Sequence, residues 1–263
     1  MKTIAINSIK GGTGKSTLAA LFVIMLVKAG FRCLAIDADA SNQSLSFFLD
    51  DCGKANAIRG KTVFHLFMDG KTQECIKRIN EKLDLIPGDV RLNEFRSTDS
   101  LKRLKRALQD VEYDFIVIDT SPTYDNVIGN VLTASDILLI PIQQDLFCYQ
   151  ALQYQFEKLA DLELASLDTH VVFNQFEKPL TTNQSAYRNQ ITNLFLENEA
   201  FKPFINPNRI SRSSAFRKFV NKRNYRIDSK PEAQNAYEEV KNFIESVLDI
   251  SIKEDLQWQN LKC

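Results

Sequence analysis

Thr3-Ile4-Ala5-Ile6-Asn7-Ser8-Ile9-Lys10-Gly11-Gly12-Thr13-Gly14-Lys15-Ser16-Thr17-Leu18 reads as a strand, a glycine-rich loop and the start of a helix. Thr3 to Asn7 is β-rich, and Leu18, Leu21, Phe22, Met25 and Leu26 then recur at helical spacing until Gly30 ends the run. Gly11, Gly12 and Gly14 let the backbone turn tightly and aim its N–H groups at an anion, and the helix dipole favours negative charge at the same place. The general phosphate-loop pattern G-x-x-x-x-G-K-[ST] is not met, because Ile9 stands where its first glycine would be. The chain shows instead K-G-G-T-G-K-[ST], with Lys10 five residues ahead of Lys15. This spacing predicts a nucleotide phosphate site made of Gly11, Gly12, Thr13, Gly14, Lys15, Ser16 and Thr17. Lys15 would reach the β/γ-phosphates and Ser16 would offer its hydroxyl to Mg²⁺.

Further apolar runs follow at Cys33–Asp37, Leu83–Pro87, Phe115–Asp119, Ile137–Pro141 and His170–Asn174. Runs this uniformly apolar suit strands buried on both faces of a parallel sheet. Helical segments are expected between them, near residues 99–110, 126–134, 146–161 and 182–198, with a last helix from Pro231 that turns Tyr237, Val240, Phe243, Ile244 and Val247 inward. The alternation predicts an α/β fold: a doubly wound, mostly parallel sheet with helices on both faces, of the phosphate-loop NTPase type. With no repeat, low-complexity stretch or linker, residues 1–263 read as one domain.

Polar groups gather at the carboxyl ends of these strands, where open α/β sheets bind ligands. Asp119 closes the run Phe115–Ile118, a placement that sets a carboxylate near Mg²⁺ through water. Asp37 and Asp39 close the second run, and alternation puts both on one face near the loop. One of the two is expected to hold Mg²⁺ through water and the other to position the attacking water. The candidate metal set is therefore Ser16, Asp119 and one of Asp37 and Asp39, with Mg²⁺ as the expected ion.

Composition excludes several classes. The chain has 44% hydrophobic and 25% charged residues and a formal charge of zero, as an ordinary globular protein does. Its five cysteines lack a C-x-x-C pair and only two histidines are present, which argues against a zinc site or a disulfide framework. The longest apolar run, Leu18 to Val27, is about half the length that crosses a bilayer. The N-terminus enters a strand at once, so no signal peptide and a cytoplasmic location are expected. Local charge is uneven. Lys202, Arg209, Arg212, Arg217, Lys218, Lys222, Arg223, Arg226 and Lys230 are opposed within residues 202–230 only by Asp228, a net charge of about +8 in a neutral chain. Such a segment suits non-specific contact with a DNA backbone, and Arg209, Arg212, Arg217, Lys218, Lys222 and Arg223 are the candidate contacts. A second cluster, Lys102, Arg103, Lys105 and Arg106, reads as a solvated helix face.

Lys10–Thr17, Asp37-Ala38-Asp39 and Phe115–Pro122 resemble the deviant Walker A, A′ and B motifs of the ParA family of partition ATPases, within the wider ParA/MinD group. Ala134–Pro141 is similar to the family's A-D-x-v-l-i-P strand and Ile210-Ser211-Arg212 to its later I-P-R segment, so the likeness runs from residue 2 to about 225. The resemblance implies an ATP-dependent homodimer that sandwiches two nucleotides, with Lys10 reaching the partner's ATP. It also implies that Lys10, Lys15 and Asp39 are catalytic, with Asp39 most tied to hydrolysis, which leaves Ser16, Asp37 and Asp119 as the metal set with ATP and Mg²⁺ as cofactors, and that Asn174 contacts adenine. The activity implied is slow ATP hydrolysis stimulated by a ParB-like centromere-binding partner, which drives plasmid or chromosome partition on non-specific double-stranded DNA at the nucleoid. The chain departs from the family at Ala40-Ser41, where Pro-Gln is usual, at Lys218-Phe219, where Glu-Ala is usual, and at Ser121, where Pro is commoner.

Three alternatives share some motifs. A MinD-like membrane-positioning ATPase would carry a basic amphipathic C-terminal helix, whereas the tail from Leu248 to Cys263 is slightly acidic, so no membrane is expected. A nitrogenase-type electron carrier needs cysteines that bridge a cluster between subunits, and none of the five here lies within reach of a matching glycine-rich motif. An ATPase positioning a protein cargo shares every motif. Only nine residues precede Lys10, so no DNA-reading domain is expected ahead of the loop.

Overall fold

The computed structural model describes residues 1–50, 60–95, 100–177, 181–221 and 230–252. Its strands are β1 (Lys2–Ile6), β2 (Cys33–Ala38), β3 (Lys77–Arg78), β4 (Leu83–Ile86), β5 (Phe115–Thr120), β6 (Ile137–Ile142), β7 (Asp168–Phe176) and β8 (Ile205–Ser211). The helices are α1 (Lys15–Lys28), α2 (Ser44–Leu49), α3 (Val63–Asp69), α4 (Thr72–Cys75), α5 (Arg103–Ala107), α6 (Asn126–Ala134), α7 (Leu146–Asp161), α8 (Thr182–Glu197), α9 (Ser214–Asn221) and α10 (Pro231–Leu248).

One eight-stranded sheet runs in the order β3-β4-β2-β5-β1-β6-β7-β8, parallel throughout except for the short edge strand β3. Residues alternate between two cores. Ile4, Ile6, Cys33, Ala35, Phe115 and Val117 face α1 and α10, while Ala5, Leu34, Ile36, Ile116 and Ile118 face α3, α6 and α7. The expected doubly wound sheet with helices on both faces is therefore present. The chain builds one half outward through β2 and β4, returns to the centre as β5, and builds the other half with β6 to β8. The loop after β1 emerges at that reversal, between β5 and β6, which is where such sheets hold ligands.

Helix α1 is buried on more sides than its spacing suggested. Leu18 to Val27 are all buried, including Ala19, Ala20, Val23 and Ile24, because α10 covers its outer face. Phe243 of α10 meets Phe22 edge to face at 5.9 Å, and the expected inward set Tyr237, Val240, Phe243, Ile244 and Val247 is buried as one stripe. A helix apolar all round has to be enclosed in this way.

The sequence reading omitted β8. Its residues Ile205-Asn206-Pro207-Asn208-Arg209-Ile210-Ser211 are mostly polar and carry a proline, which a strand tolerates at a sheet edge. Pairing with β7 is accordingly irregular, with register shifts on either side of Phe173 and Asn174. The short α2, α3 and α4 were likewise not anticipated, and helix 99–110 contracts to α5. No helix among the described residues is long and apolar enough to cross a membrane. The tail beyond Ile252, with Trp258, lies outside the described residues.

Truncating the α1–α10 contact tests this packing. Phe243→Ala should destabilise the chain by about 3–5 kcal/mol in urea unfolding; a loss below about 1 kcal/mol would mean that α10 does not enclose α1.

Candidate functional site

The loop needs two of its glycines for backbone conformation: Gly12 (φ +80°) and Gly14 (φ +88°) both lie in the left-handed region. Gly14 caps α1 without a side-chain hydrogen bond, and the first turn of α1 holds no acidic residue. The helix N-terminus is thus left open for an anion. Lys15 is buried and donates to the carbonyls of Ser8 (3.1 Å) and Lys10 (3.4 Å). Burial holds its ammonium below the ordinary lysine range, opposed by the charges of Asp119 and Asp39.

Sheet register brings the carboxylates together. Asp37 of β2 and Asp119 of β5 are direct cross-strand partners, and Ile6 pairs with Asp119 on the other side. Both are fully buried on the α1 face. Asp37 accepts hydrogen bonds from the Ser46 N–H (2.8 Å), the Ser46 hydroxyl (2.7 Å) and the Asp39 N–H (3.2 Å). Asp39 is buried just past the strand and accepts from the Ser41 N–H at 2.8 Å. Both Asp119 oxygens lack a geometrically formed hydrogen bond. Burial and the Asp37 charge push the Asp119 carboxyl well above the usual range, with Ser16 and Lys15 pulling the other way. Burial likewise raises Asp37, to about 6, against the Ser46 hydrogen bonds.

A buried carboxylate with orphaned oxygens beside a second carboxylate is short of positive charge. A hard divalent cation held by one or two carboxylates, a hydroxyl, water and phosphate fits that donor set. Among the described residues no group of three His, Cys, Asp or Glu could form a closed protein cage instead. Ser16, Asp37 and Asp119 therefore suit Mg²⁺.

Lys10 lies beside the loop and is folded back on its own chain. Its Nζ donates to Asp145 Oδ2 at 2.5 Å and sits 3.5 Å from Gln143 Oε1. Burial alone would lower its pKa, but Asp145 keeps it raised. Asp145 also caps α7 through the Cys148 N–H (2.9 Å).

Beside the loop a cavity of about 540 Å³ runs between α1 and the ends of β7 and β8, lined by Gly14, Thr17, Leu18, Phe48, Ile210, Arg212 and Phe216 among others. Asn174, expected to contact adenine, lines it as well, and its amide Nδ2 donates to the Thr13 carbonyl at 2.7 Å. Ser211, on the cavity wall, is held by Glu239 of α10 through its N–H (2.7 Å) and hydroxyl (2.8 Å).

The basic segment is less isolated in space than in sequence. Arg212 pairs with Glu177, which also takes Arg188 at 2.5 Å. Arg209 stacks over Phe176 at 4.8 Å, and Lys202 lies 3.7 Å from Glu199. Lys218 is exposed on α9. Of Arg217 only the backbone is described, and Lys222, Arg223 and Arg226 lie outside the described residues. Ser46, Gly88, Gln143, Asp145 and Gln175 were missed by sequence reasoning. Gly88 is the least expected: a Cβ there would stand 3.0 Å from Asp37 Cγ.

The buried carboxylates make a stability prediction. An acid whose folded pKa stands above its unfolded value binds its proton more tightly when folded, so stability declines as pH rises. With Asp37 moved from 3.8 to about 6 and Asp119 also raised, the metal-free chain should lose stability as pH rises from about 4 through 6. Asp119→Asn should raise the melting temperature in EDTA at pH 7, flatten that pH dependence and remove the Mg²⁺ dependence of nucleotide binding. A lower melting temperature would contradict the charge assignment.

Comparison with known proteins places the fold and the family. The model of a family described as an AAA domain matches residues 1–170. Sporulation initiation inhibitor protein Soj of Bacillus subtilis is 34% identical over 160 residues, covering 57% of this chain and 62% of Soj. A ParA family protein of Chlamydia pneumoniae is 34% identical over 166 residues, 58% of this chain and 63% of the relative. The matched part thus spans less than two thirds of either relative. In structure, a plasmid partition protein from Borrelia burgdorferi B31 bound to AMPPNP superposes with a TM-score of 0.76 at 24% identity, covering 95% of this chain and 99% of the other. Cyanothece McdA(D38A) in complex with ATP gives 0.77 at 22%, covering 97% and 99%. At these identities the structural matches speak for the fold alone. Loop, carboxylate pair and family match together lead to one conclusion: the chain belongs to the AAA-domain family matched over residues 1–170 and is a ParA family ATPase.

Proposed function

We propose that this chain hydrolyses ATP as an ATP-dependent homodimer, binds double-stranded DNA without reading its sequence, and drives plasmid or chromosome partition with a ParB-like partner at the nucleoid. The observation that carries the reading is the second lysine. A phosphate loop that only binds nucleotide needs Lys15; Lys10 adds a cation at the loop's edge, paired with Asp145 while the chain is alone. Released toward a second copy, it would meet the charge that builds on the transferring phosphoryl group.

Each site residue has a stated part. Gly11 to Thr17 hold the phosphates and the buried Lys15 ammonium neutralises them. Mg²⁺, held by Ser16, Asp37 and Asp119, would screen the charge of the β- and γ-phosphates. Asp39, anchored by the Ser41 N–H, orients the attacking water, and Asn174 faces the base. Hydrolysis is slow until the partner stimulates it.

DNA contact is assigned to Arg209, Arg212, Arg217, Lys218, Lys222 and Arg223, whose number doubles on dimerisation. Arg212 is less simple than the others because it also lines the nucleotide cavity. A second reading, positioning of a protein cargo, is favoured by the 32% identity over 151 residues to maintenance of carboxysome distribution protein A of Synechococcus elongatus.

Binding to non-specific duplex DNA with ATP, ADP and no nucleotide, at low and raised salt, tests the proposal. Binding should require ATP and weaken with salt. Lys218→Glu should reduce it, lowering the salt slope by about 0.9 for each phosphate no longer neutralised, with ATP affinity unchanged. Absence of DNA binding in every condition would overturn the partition reading and favour the cargo one.

A further inference from the structure

A phosphate cradle turns backbone N–H groups toward the anion, and in a trans peptide this turns the carbonyl of the same unit the opposite way. Those outward carbonyls need donors. Here three side-chain amides from the ends of β6 and β7 supply them. Gln175 Nε2 donates to the Gly12 carbonyl at 2.9 Å, Gln143 Nε2 donates to the same oxygen at 3.2 Å, and Asn174 Nδ2 donates to the Thr13 carbonyl at 2.7 Å. The Gly12 carbonyl shares its peptide with the Thr13 N–H, and the Thr13 carbonyl with the Gly14 N–H. Holding either oxygen therefore fixes where the neighbouring N–H points. The fit is close: a Cβ on Gly14 would stand 2.5 Å from Asn174 Nδ2 and 3.1 Å from Gln175 Nε2.

Gln175 carries a second mark. Its φ is +53°, a left-handed conformation that glycine adopts without strain and glutamine does not. The strain falls where β7 loses regular register with β8. A strained non-glycine residue beside a ligand loop points to a side chain retained for what it does there. We propose that Gln175 is a positioning residue of the phosphate site: its amide draws the Gly12 carbonyl away from the anion and so aims the Thr13 N–H at phosphate. The inference rests on the reading of the loop as an ATP phosphate site.

Two variants test it. Gln175→Gly removes the amide and the strain together, whereas Gln175→Met keeps the side-chain length and the strain and removes the amide alone. Both should weaken ATP and inorganic tripolyphosphate by a similar factor, about fivefold for one net hydrogen bond, and leave adenosine affinity unchanged. Gln175→Gly should do so with a melting temperature equal to or above that of the wild type, which a merely structural role would not allow. Unchanged tripolyphosphate affinity in both variants would overturn the inference, as would an equal loss for adenosine or a lowered melting temperature in Gln175→Gly. A wild-type chain that binds neither ATP nor tripolyphosphate would overturn the phosphate reading itself and this inference with it.

Discussion

Three carboxylates and one ammonium are buried around the carboxyl ends of β1, β2 and β5, and the rest of the structure is arranged to keep them there. Asp37 and Asp119 share a register position, so the sheet forces two carboxyl groups together, and the Asp119 oxygens have no geometrically formed hydrogen bond to relieve them. Burying such groups is unfavourable unless a partner arrives. A site built this way suits a cation and an anionic ligand, and the enclosed helix α1 gives it a rigid wall. Stability is set against binding at Asp119 above all, whose oxygens are left unpaired in the free chain.

The loop is tied to distant elements by polar contacts that are each satisfied. Gln155 of α7 donates to Asn7 Oδ1 at 2.8 Å, Asn7 donates to Thr120 Oγ1 at 2.8 Å, and Thr120 donates to the Ile6 carbonyl at 2.8 Å. This buried chain joins α7 to the last residues of β1 and β5. The same helix begins at Asp145, which holds Lys10. A fully satisfied buried network is rigid, so α7, the loop and the Asp119 strand form one unit. On the other side, Glu239 of α10 fixes Ser211 at the cavity wall, and α9 with Lys218 follows directly after. Nucleotide in the cavity would thus touch the segment that leads into the basic surface.

The central strands and the loop were legible because their signals are local: uniform apolar runs for strands buried on both faces, and glycines with lysines at fixed spacing. Asp37, Asp39 and Asp119 were legible from their places at strand ends. What escaped depends on distance in space. Ser46 and Gly88 reach Asp37 from separate elements with no motif of their own. Strand β8 is polar and interrupted by Pro207 because an edge needs neither alternation nor a full ladder. Charge counted along residues 202–230 saw only Asp228, whereas Glu177 comes from the end of β7 to meet Arg212. Asn174 was matched to the base through its family position, and its bond to the Thr13 carbonyl follows from the loop's folded path alone.

The central claim is that the two lysines of one loop act in different chains. Sedimentation of Lys10→Ala with ATP and Mg²⁺, beside a direct measurement of its ATP affinity, tests this most directly. The account predicts ATP affinity close to that of the wild type, with the chain remaining a monomer where the wild type dimerises. Loss of ATP affinity equal to that of Lys15→Ala, or a Lys10→Ala dimer as stable as the wild type's, would contradict it.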